Sequence, residues 1–301
     1  MKFLNYKENP NKDLDVVLND IEEICKRYQT DSPIRSVIKE KINTHNTTTC
    51  LIEDNNIVTG LMYIEKQQAH YGNLLVHAIN PDHLKELIHN FIIQYPQHET
   101  VVELTHFRED FIIQDLLIEH GLLEKERQRM VYTIPTDVEH PILSAGLSLE
   151  HITPENCHHV GDISAKAHSI RQNIEGYKDF ENAENRVEME QLLLAETFNK
   201  YLNSASFLLK HHNNYVGSCS TVLIENPGQP DIAWIMDVCI KPEYQGFGYA
   251  KQLINAVIFQ TKAAGVDQIG LGVTLSNKTA VNLYTSMGFI RREYFVEFLW
   301  R

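Results

Sequence analysis

Basic residues are scarce in this chain of 301 residues: 27 Lys and Arg stand against 40 Asp and Glu, a net charge of −13. A nucleic-acid binder draws most of its affinity from cations set against phosphates, so this balance argues against that class. Residues 1–145 carry 14 basic and 23 acidic side chains, and residues 146–301 carry 13 and 17. Such a surface keeps a protein in solution and attracts cationic amines. The cysteines are few and scattered. Cys25, Cys50, Cys157, Cys219 and Cys239 include no Cys-x-x-Cys pair, which argues against a zinc site or a disulfide framework and fits a reducing cytoplasm. Long apolar runs are also missing. No stretch nears the roughly 20 residues of a membrane span, and Met1 to Pro10 lacks the apolar core of a signal peptide. What is there, 43% hydrophobic and 22% charged residues, is the composition of a globular protein long enough for two domains.

Periodicity sets out the first half. Leu14, Val17, Leu18, Ile21 and Ile24 recur at helical steps, predicting a helix over 14–28. Strands are predicted over 48–52 and 57–64 around Asp54-Asn55-Asn56, then at 74–79, 101–105 and 129–134. Helices are predicted at 84–95 and 111–119, the latter ending at Gly121. Pro135 to Gly146, with two prolines and a glycine, reads as a linker, giving domains over 1–135 and 147–301 joined by 136–146. In the second half a helical region is predicted over 153–168, a loop over 171–178 and a long helix over 186–203. Strands follow at 206–210, 215–225 and 232–240. The run Gly121-Leu122-Leu123-Glu124-Lys125-Glu126 resembles Gly288-Phe289-Ile290-Arg291-Arg292-Glu293 at an offset of 167, and Asn80-Pro81 resembles Lys241-Pro242. We read a tandem duplication of one α/β domain.

The informative run is Asp237-Val238-Cys239-Ile240-Lys241-Pro242-Glu243-Tyr244-Gln245-Gly246-Phe247-Gly248-Tyr249-Ala250. An apolar strand ends at Pro242, a turn carries Gly246 and Gly248, and a helix opens with Ala250, Leu253, Ile254 and Val257 on one face. Strand, glycine turn, helix is an arrangement that offers unpaired main-chain N–H groups to an anion, with the peptide dipoles adding partial positive charge. Gly-x-Gly alone equally describes an ordinary strand-to-helix turn. The spacing matches neither the dinucleotide Gly-x-Gly-x-x-Gly pattern nor a P-loop, which needs Gly-Lys-Ser/Thr.

Gln245-x-x-Gly248-x-Ala250 after a Val-x-Ile-x-Pro strand resembles the acetyl-CoA signature of the GNAT superfamily of N-acetyltransferases. The resemblance implies an α/β (α+β) fold: two tandem GNAT-like domains, each a mixed, mostly antiparallel central sheet flanked by helices. It implies acetyl-CoA as co-substrate, no metal, and transfer of acetyl to a primary amine of a small molecule or peptide by direct attack. It places the diphosphate on Gln245, Gly246, Phe247, Gly248, Tyr249, Ala250 and Lys251. It places the pantetheine along the backbone of Val238, Cys239 and Ile240, where the strand is expected to splay from its neighbour. Ser276 or Asn277 caps the helix after the strand at 268–274, and the resemblance has Asn277 bond the pantetheine or nearby backbone. Tyr284 is the expected acid for the thiolate.

The base is left open. Many family members carry Glu near the position of Trp234. Asp237 is the nearest carboxylate, but plain strand alternation puts it opposite Trp234, Met236 and Val238. Glu225, Glu175 or a water chain remain as routes for the proton. His168, Arg171, Glu175 and Tyr177 lie where the family selects substrate, while His158-His159 and His211-His212 lack metal-ligand partners at useful spacing. In the first half Asn80-Pro81 runs straight into a helix with no glycine turn. The offset sets Leu117 and Asp110 at the places of Tyr284 and Asn277, so this half is expected to lack a cofactor site. Two other readings stay open: an acyl-CoA-binding sensor without turnover, and a transferase for another acyl group. A monomer and a homodimer are equally compatible with the sequence.

Overall fold

The computed structural model describes residues 1–27, 34–68, 71–94, 101–105, 111–169, 182–197, 199–225 and 230–299. Two compact units are formed, one by Met1–Lys125 with Phe295–Arg301, the other by Glu126–Tyr294. The expected boundary at 136–146 therefore differs from the observed division, because the strand after Lys125 already belongs to the second unit.

In the first unit the elements run β1 (Lys2–Asn5), α1 (Asp15–Arg27), α2 (Ile34–Asn43), β2 (Thr47–Asp54), β3 (Ile57–Gln68), β4 (Tyr71–Ala78), α3 (Pro81–Gln94), β5 (Val101–Thr105) and α4 (Phe111–Glu119). Neighbouring strands from β1 to β4 pair antiparallel, and β4 and β5 pair parallel. The strand at the end of the chain lies beside β5, Val296–Leu299 antiparallel to Val101–Leu104. Alternation on the pleat sorts the core into two layers. Leu51, Leu61, Tyr63 and Leu75 meet Val17, Leu18, Ile21, Ile38 and Ile42 of α1 and α2. Ile52, Met62, Leu74 and Val76 meet Leu84, Leu87, Ile88 and Phe91 of α3 and Ile113 and Leu117 of α4.

The second unit repeats this order. Its elements are β6 (Leu123–Thr133, from Glu126 onward), β7 (Leu147–His151), α5 (His158–Ser169), α6 (Ala183–Leu194), β8 (Lys200–Tyr201), β9 (Phe207–His211), β10 (Asn214–Ile224), β11 (Ile232–Ile240), α7 (Tyr249–Ala263), β12 (Gln268–Thr274) and α8 (Lys278–Ser286). The chain then enters β13 (Ile290–Leu299), whose end is the edge strand of the first unit. The sheet order is β7-β9-β10-β11-β12-β6, with β11 and β12 parallel and the other pairs antiparallel. The offset of 167 holds exactly from α4 (111–119) to α8 (278–286).

Three readings need correction. The helix expected over 186–203 stops at Leu194, where Glu196 takes φ +53° and the chain turns into the short strand β8 against β10. The amphipathic helix α2 and the short strand β1 were not anticipated. The strand expected to close the first half runs from Arg127 to Thr133 against β12 in the second unit.

Helices α5 and α6 approach so closely that a Cβ on Gly161 would sit 2.4 Å from the Ala183 carbonyl oxygen and 2.6 Å from a Val187 methyl. Overpacking of this kind costs about 1–3 kcal/mol. Gly161→Ala should therefore lower the unfolding free energy of the second unit by that amount, read as a fall in its urea midpoint at unchanged slope. An unchanged midpoint would contradict the close approach.

Candidate functional site

The loop between β11 and α7 is where the two units differ most. In the first unit only residues 79–80 separate β4 from α3; in the second, residues 241–248 separate β11 from α7. The shorter connection closes on itself: the Asn80 side-chain oxygen accepts the Asp82 amide at 2.9 Å, filling the helix N-terminus. The longer one leaves its helix open. The residue capping α7 is Gly248, at φ +76°, and it offers no side-chain bond. Among the described residues, no oxygen accepts the amides of Gly246, Phe247, Gly248, Tyr249, Ala250 or Lys251.

Two glycines make this shape possible. Gly246 and Gly248 both have positive φ, +82° and +76°, and an added Cβ at either would meet nothing within 4 Å. Backbone conformation, not crowding, demands glycine there. Gln245 ties the loop down through its side-chain amide, which donates to the Ile240 carbonyl at 2.8 Å. Phe247 is largely exposed, Lys251 is exposed, and Tyr249 and Ala250 are half-buried against the core. An anionic charge at a helix N-terminus gains about 0.3–1 kcal/mol from the peptide dipoles, and the open amides add hydrogen bonds to it, so backbone can hold a diphosphate in an acidic unit.

Upstream of the loop the sheet opens. β11 and β12 pair in parallel only from Ala233–Ile235 to Ile269–Leu271, although β11 runs on to Ile240 and β12 to Thr274. The Lys241 amide donates back to Val216 of β10 at 2.8 Å. Alternation along the strand then turns the main-chain groups of Val238 and Ile240 to the opposite edge, into the opening. The splay expected at Val238 and Ile240 is therefore present.

The departure coincides with a β-bulge. Ser220 opposes Asp237 and Thr221 opposes Ile235, so Met236 is the extra residue. A bulge resets the side-chain alternation, and this corrects the expected facing of Asp237. Trp234 and Met236 pack with Leu193 and Tyr201, Asp237 meets Arg186 of α6, and Cys239 joins the α5 layer. Val238 and Ile240 face the α7 layer instead. Asp237 thus shares a face with Trp234 and Met236. The Trp234 ring lies on β12, where a Cβ at Gly270 would fall 2.6 Å from it.

A buried ionic network sits behind the bulge. Arg186 and Glu190, one turn apart on α6, are both fully buried and pair at 2.7 Å. Arg186 also donates to the Ser220 hydroxyl at 3.1 Å and to Asp237 at 3.4 Å. Glu190 accepts from Ser220 at 2.8 Å and from the Tyr201 hydroxyl at 2.7 Å. Burial opposes the guanidinium charge, but Glu190 and Asp237 overcome it and raise the Arg186 pKa. Burial, then Glu190, pushes the Tyr201 hydroxyl up. Removing one member of such a buried pair costs about 3–5 kcal/mol.

The remaining predicted residues fall as follows. Asn277 caps α8, its side-chain oxygen accepting the Ala280 amide at 3.2 Å. Tyr284 is buried on α8, its ring 5.8 Å from that of Phe289. Glu225 is exposed beyond the end of β10. Arg171, Glu175 and Tyr177 lie outside the described residues. His159 stacks on Tyr215 with centroids 3.8 Å apart, and desolvation, then His158, lowers its pKa. His168, Asp237 and Cys239 bring possible ligand atoms within 4.8 Å of one another. The His168 Nδ1 donates to the Ser164 carbonyl at 2.9 Å, and Asp237 already faces a guanidinium, so the trio is ill-suited to a cation. The Arg186 network was not among the sequence candidates; its helical spacing of four was the available signal. Among the described residues, no helix is long and apolar enough to cross a membrane.

Residues 172–289 match the Acetyltransferase (GNAT) family. The [ribosomal protein bS18]-alanine N-acetyltransferase of Haemophilus ducreyi is 37% identical over 81 residues, 26% of this chain and 51% of that protein. Its Haemophilus influenzae counterpart is 37% identical over 102 residues, 32% of this chain and 62% of that protein. The chain thus spans about half to three-fifths of the length of these relatives. In fold, it is similar to a GCN5-related N-acetyltransferase from Sphaerobacter thermophilus, with a TM-score of 0.63, 14% identity, and 98% and 94% of the two chains covered. A tandem GNAT protein from the clavulanic acid biosynthesis pathway gives a TM-score of 0.51, 13% identity, and 99% and 97% coverage. The motif, the open loop and the splayed strands all lie within residues 172–289, the stretch that matches the acetyltransferase (GNAT) family.

Proposed function

We propose that the second unit transfers the acetyl group of acetyl-CoA to a primary amine, the α-amine of a peptide or protein N-terminus. The observation that carries this reading is the pairing of two open main-chain features on one stretch of chain, the strand edge freed at Val238 where β11 leaves β12 and the unused amides of Gly246–Lys251. A pantetheine arm is a chain of amides and suits the former; a diphosphate suits the latter. The choice of an α-amine follows the relatives, which include ribosomal-protein alanine N-acetyltransferases and, over 54 residues at 37% identity, yeast N-alpha-acetyltransferase 30.

In this mechanism the neutral amine attacks the thioester carbonyl carbon. The C–N bond forms, the C–S bond breaks, and the carbonyl oxygen carries negative charge in between. The Val238 amide, at the opening, is the donor for that oxyanion. The surplus amine proton leaves to water. Tyr284 gives its proton to the departing thiolate and takes back from water the proton that the amine released. Asp237 is not assigned as the base, because it faces Arg186. An acyl-CoA sensor would bind cofactor without releasing free CoA, so CoA release in the presence of peptide separates the two readings.

Two variants test the assignment. Gly248→Glu places a side chain at φ +76° and a carboxylate at the helix N-terminus. It should abolish CoA binding by calorimetry while the far-ultraviolet circular dichroism stays native; undiminished affinity would remove the loop from the site. Tyr284→Phe should lower kcat about 100-fold or more with the KM for acetyl-CoA near wild type. A wild-type kcat would exclude Tyr284 as the acid.

A further inference from the structure

We infer that Arg186, together with Glu190, is a positioning residue for acyl transfer: from α6 it clamps β11 to β10 at the bulge where β11 parts from β12. The inference rests on the acetyltransferase reading above and adds to it the device that holds the reacting edge open.

Three observations converge on one point of the sheet. The last parallel pair between β11 and β12 is Ile235 with Leu271. The next residue, Met236, is the extra residue of the bulge, between the pairs Thr221–Ile235 and Ser220–Asp237. The two side chains of the pair just past it, Ser220 on β10 and Asp237 on β11, are the ones that Arg186 holds, at 3.1 and 3.4 Å. Glu190 holds Ser220 a second time, at 2.8 Å, and is itself held by Tyr201 of β8 at 2.7 Å. A planar guanidinium can serve several acceptors from one fixed position, which an ammonium does less well.

The consequence lies on the other side of the strand. A regular ladder in which Met236 took a partner of its own would turn Asp237 to the α7 face and Val238 to the α5 and α6 face, and would let β11 continue alongside β12. The opening would then narrow, and the Val238 amide would no longer point into it. Arg186 touches no reacting atom. Its role is to fix the strand path that aims Val238. Misplacement by about 1 Å costs on the order of 100-fold in rate, whereas the loop from Gly246 to Lys251 lies beyond Pro242 and is held separately by Gln245.

The test uses the full chain. Arg186→Met alone strands two buried carboxylates and is prone to misfold, so the informative variant is the neutral triple Arg186→Met/Glu190→Leu/Asp237→Asn. Ser220→Ala, which removes only the β10 side of the clamp, is the second. The probes are CoA for binding and acetyl-CoA with a hexapeptide bearing a free N-terminal alanine for turnover. Expected for the triple is a CoA Kd near wild type with kcat lowered about 100-fold; Ser220→Ala should show a smaller fall of kcat at unchanged Kd. Wild-type kcat in a folded triple, or CoA affinity falling in step with kcat, would overturn the clamp. Should the triple not fold, unchanged kcat in Ser220→Ala overturns it and a selective loss of kcat upholds it. A wild type that binds no CoA and acetylates no peptide would instead overturn the acetyltransferase reading itself.

Discussion

A helix whose cap is glycine cannot satisfy its own first donors, and the second unit depends on that deficit. Gly248 supplies the left-handed turn into α7 but no side-chain oxygen, so the amides from Gly246 to Lys251 stay available. In the first unit the corresponding helix is closed by Asn80, followed at once by Asp82 in the first turn. The same architecture therefore presents an anion with bare backbone in one case and with a filled, acidic cap in the other. The difference lies in the connection, residues 79–80 against residues 241–248, and not in the sheet order. Fold similarity alone would not separate the two units; the capping chemistry does.

The second requirement is an unpaired strand edge. Parallel strands ordinarily satisfy each other along their length, so a gap inside a sheet has a cause. Here the cause is a bulge at Met236, and the buried Arg186–Glu190 pair stands behind it. Ion pairs at full burial are weak evidence of stability, since apolar replacements often serve as well. A pair that ties β11 to β10 at the point where β11 leaves β12 makes better sense as a geometric device. Trp234, lying over Gly270, fills the space where the strands are still together.

Much of this was legible in the sequence. Helical periodicity located α1, α3, α4 and α7, and the offset of 167 aligned α4 with α8 residue for residue. The run from Asp237 to Ala250 gave the loop, and of the two caps the sequence offered for α8, Ser276 and Asn277, it is Asn277 that serves. The failures have physical reasons. Alternation counts residues and cannot see a bulge, so Asp237 was set on the wrong face. The apolar spacing of 186–203 runs past Leu194 because Tyr201 and Leu202 are buried too, though by a short strand and a turn rather than a helix. The stretch 129–134 reads locally as a strand of the first half, but register with β12 is a long-range choice that no local pattern records. The role of Arg186 was equally hidden, because its partners Ser220 and Asp237 lie 34 and 51 residues away.

The most direct measurement is the position of the diphosphate in a crystal of the protein grown with acetyl-CoA. The account predicts phosphate oxygens at about 2.7–3.2 Å from amides between Gly246 and Lys251, with the thioester carbonyl turned to the Val238 amide. Phosphates bound elsewhere, at the Pro81 end of α3 or away from both helices, would contradict it.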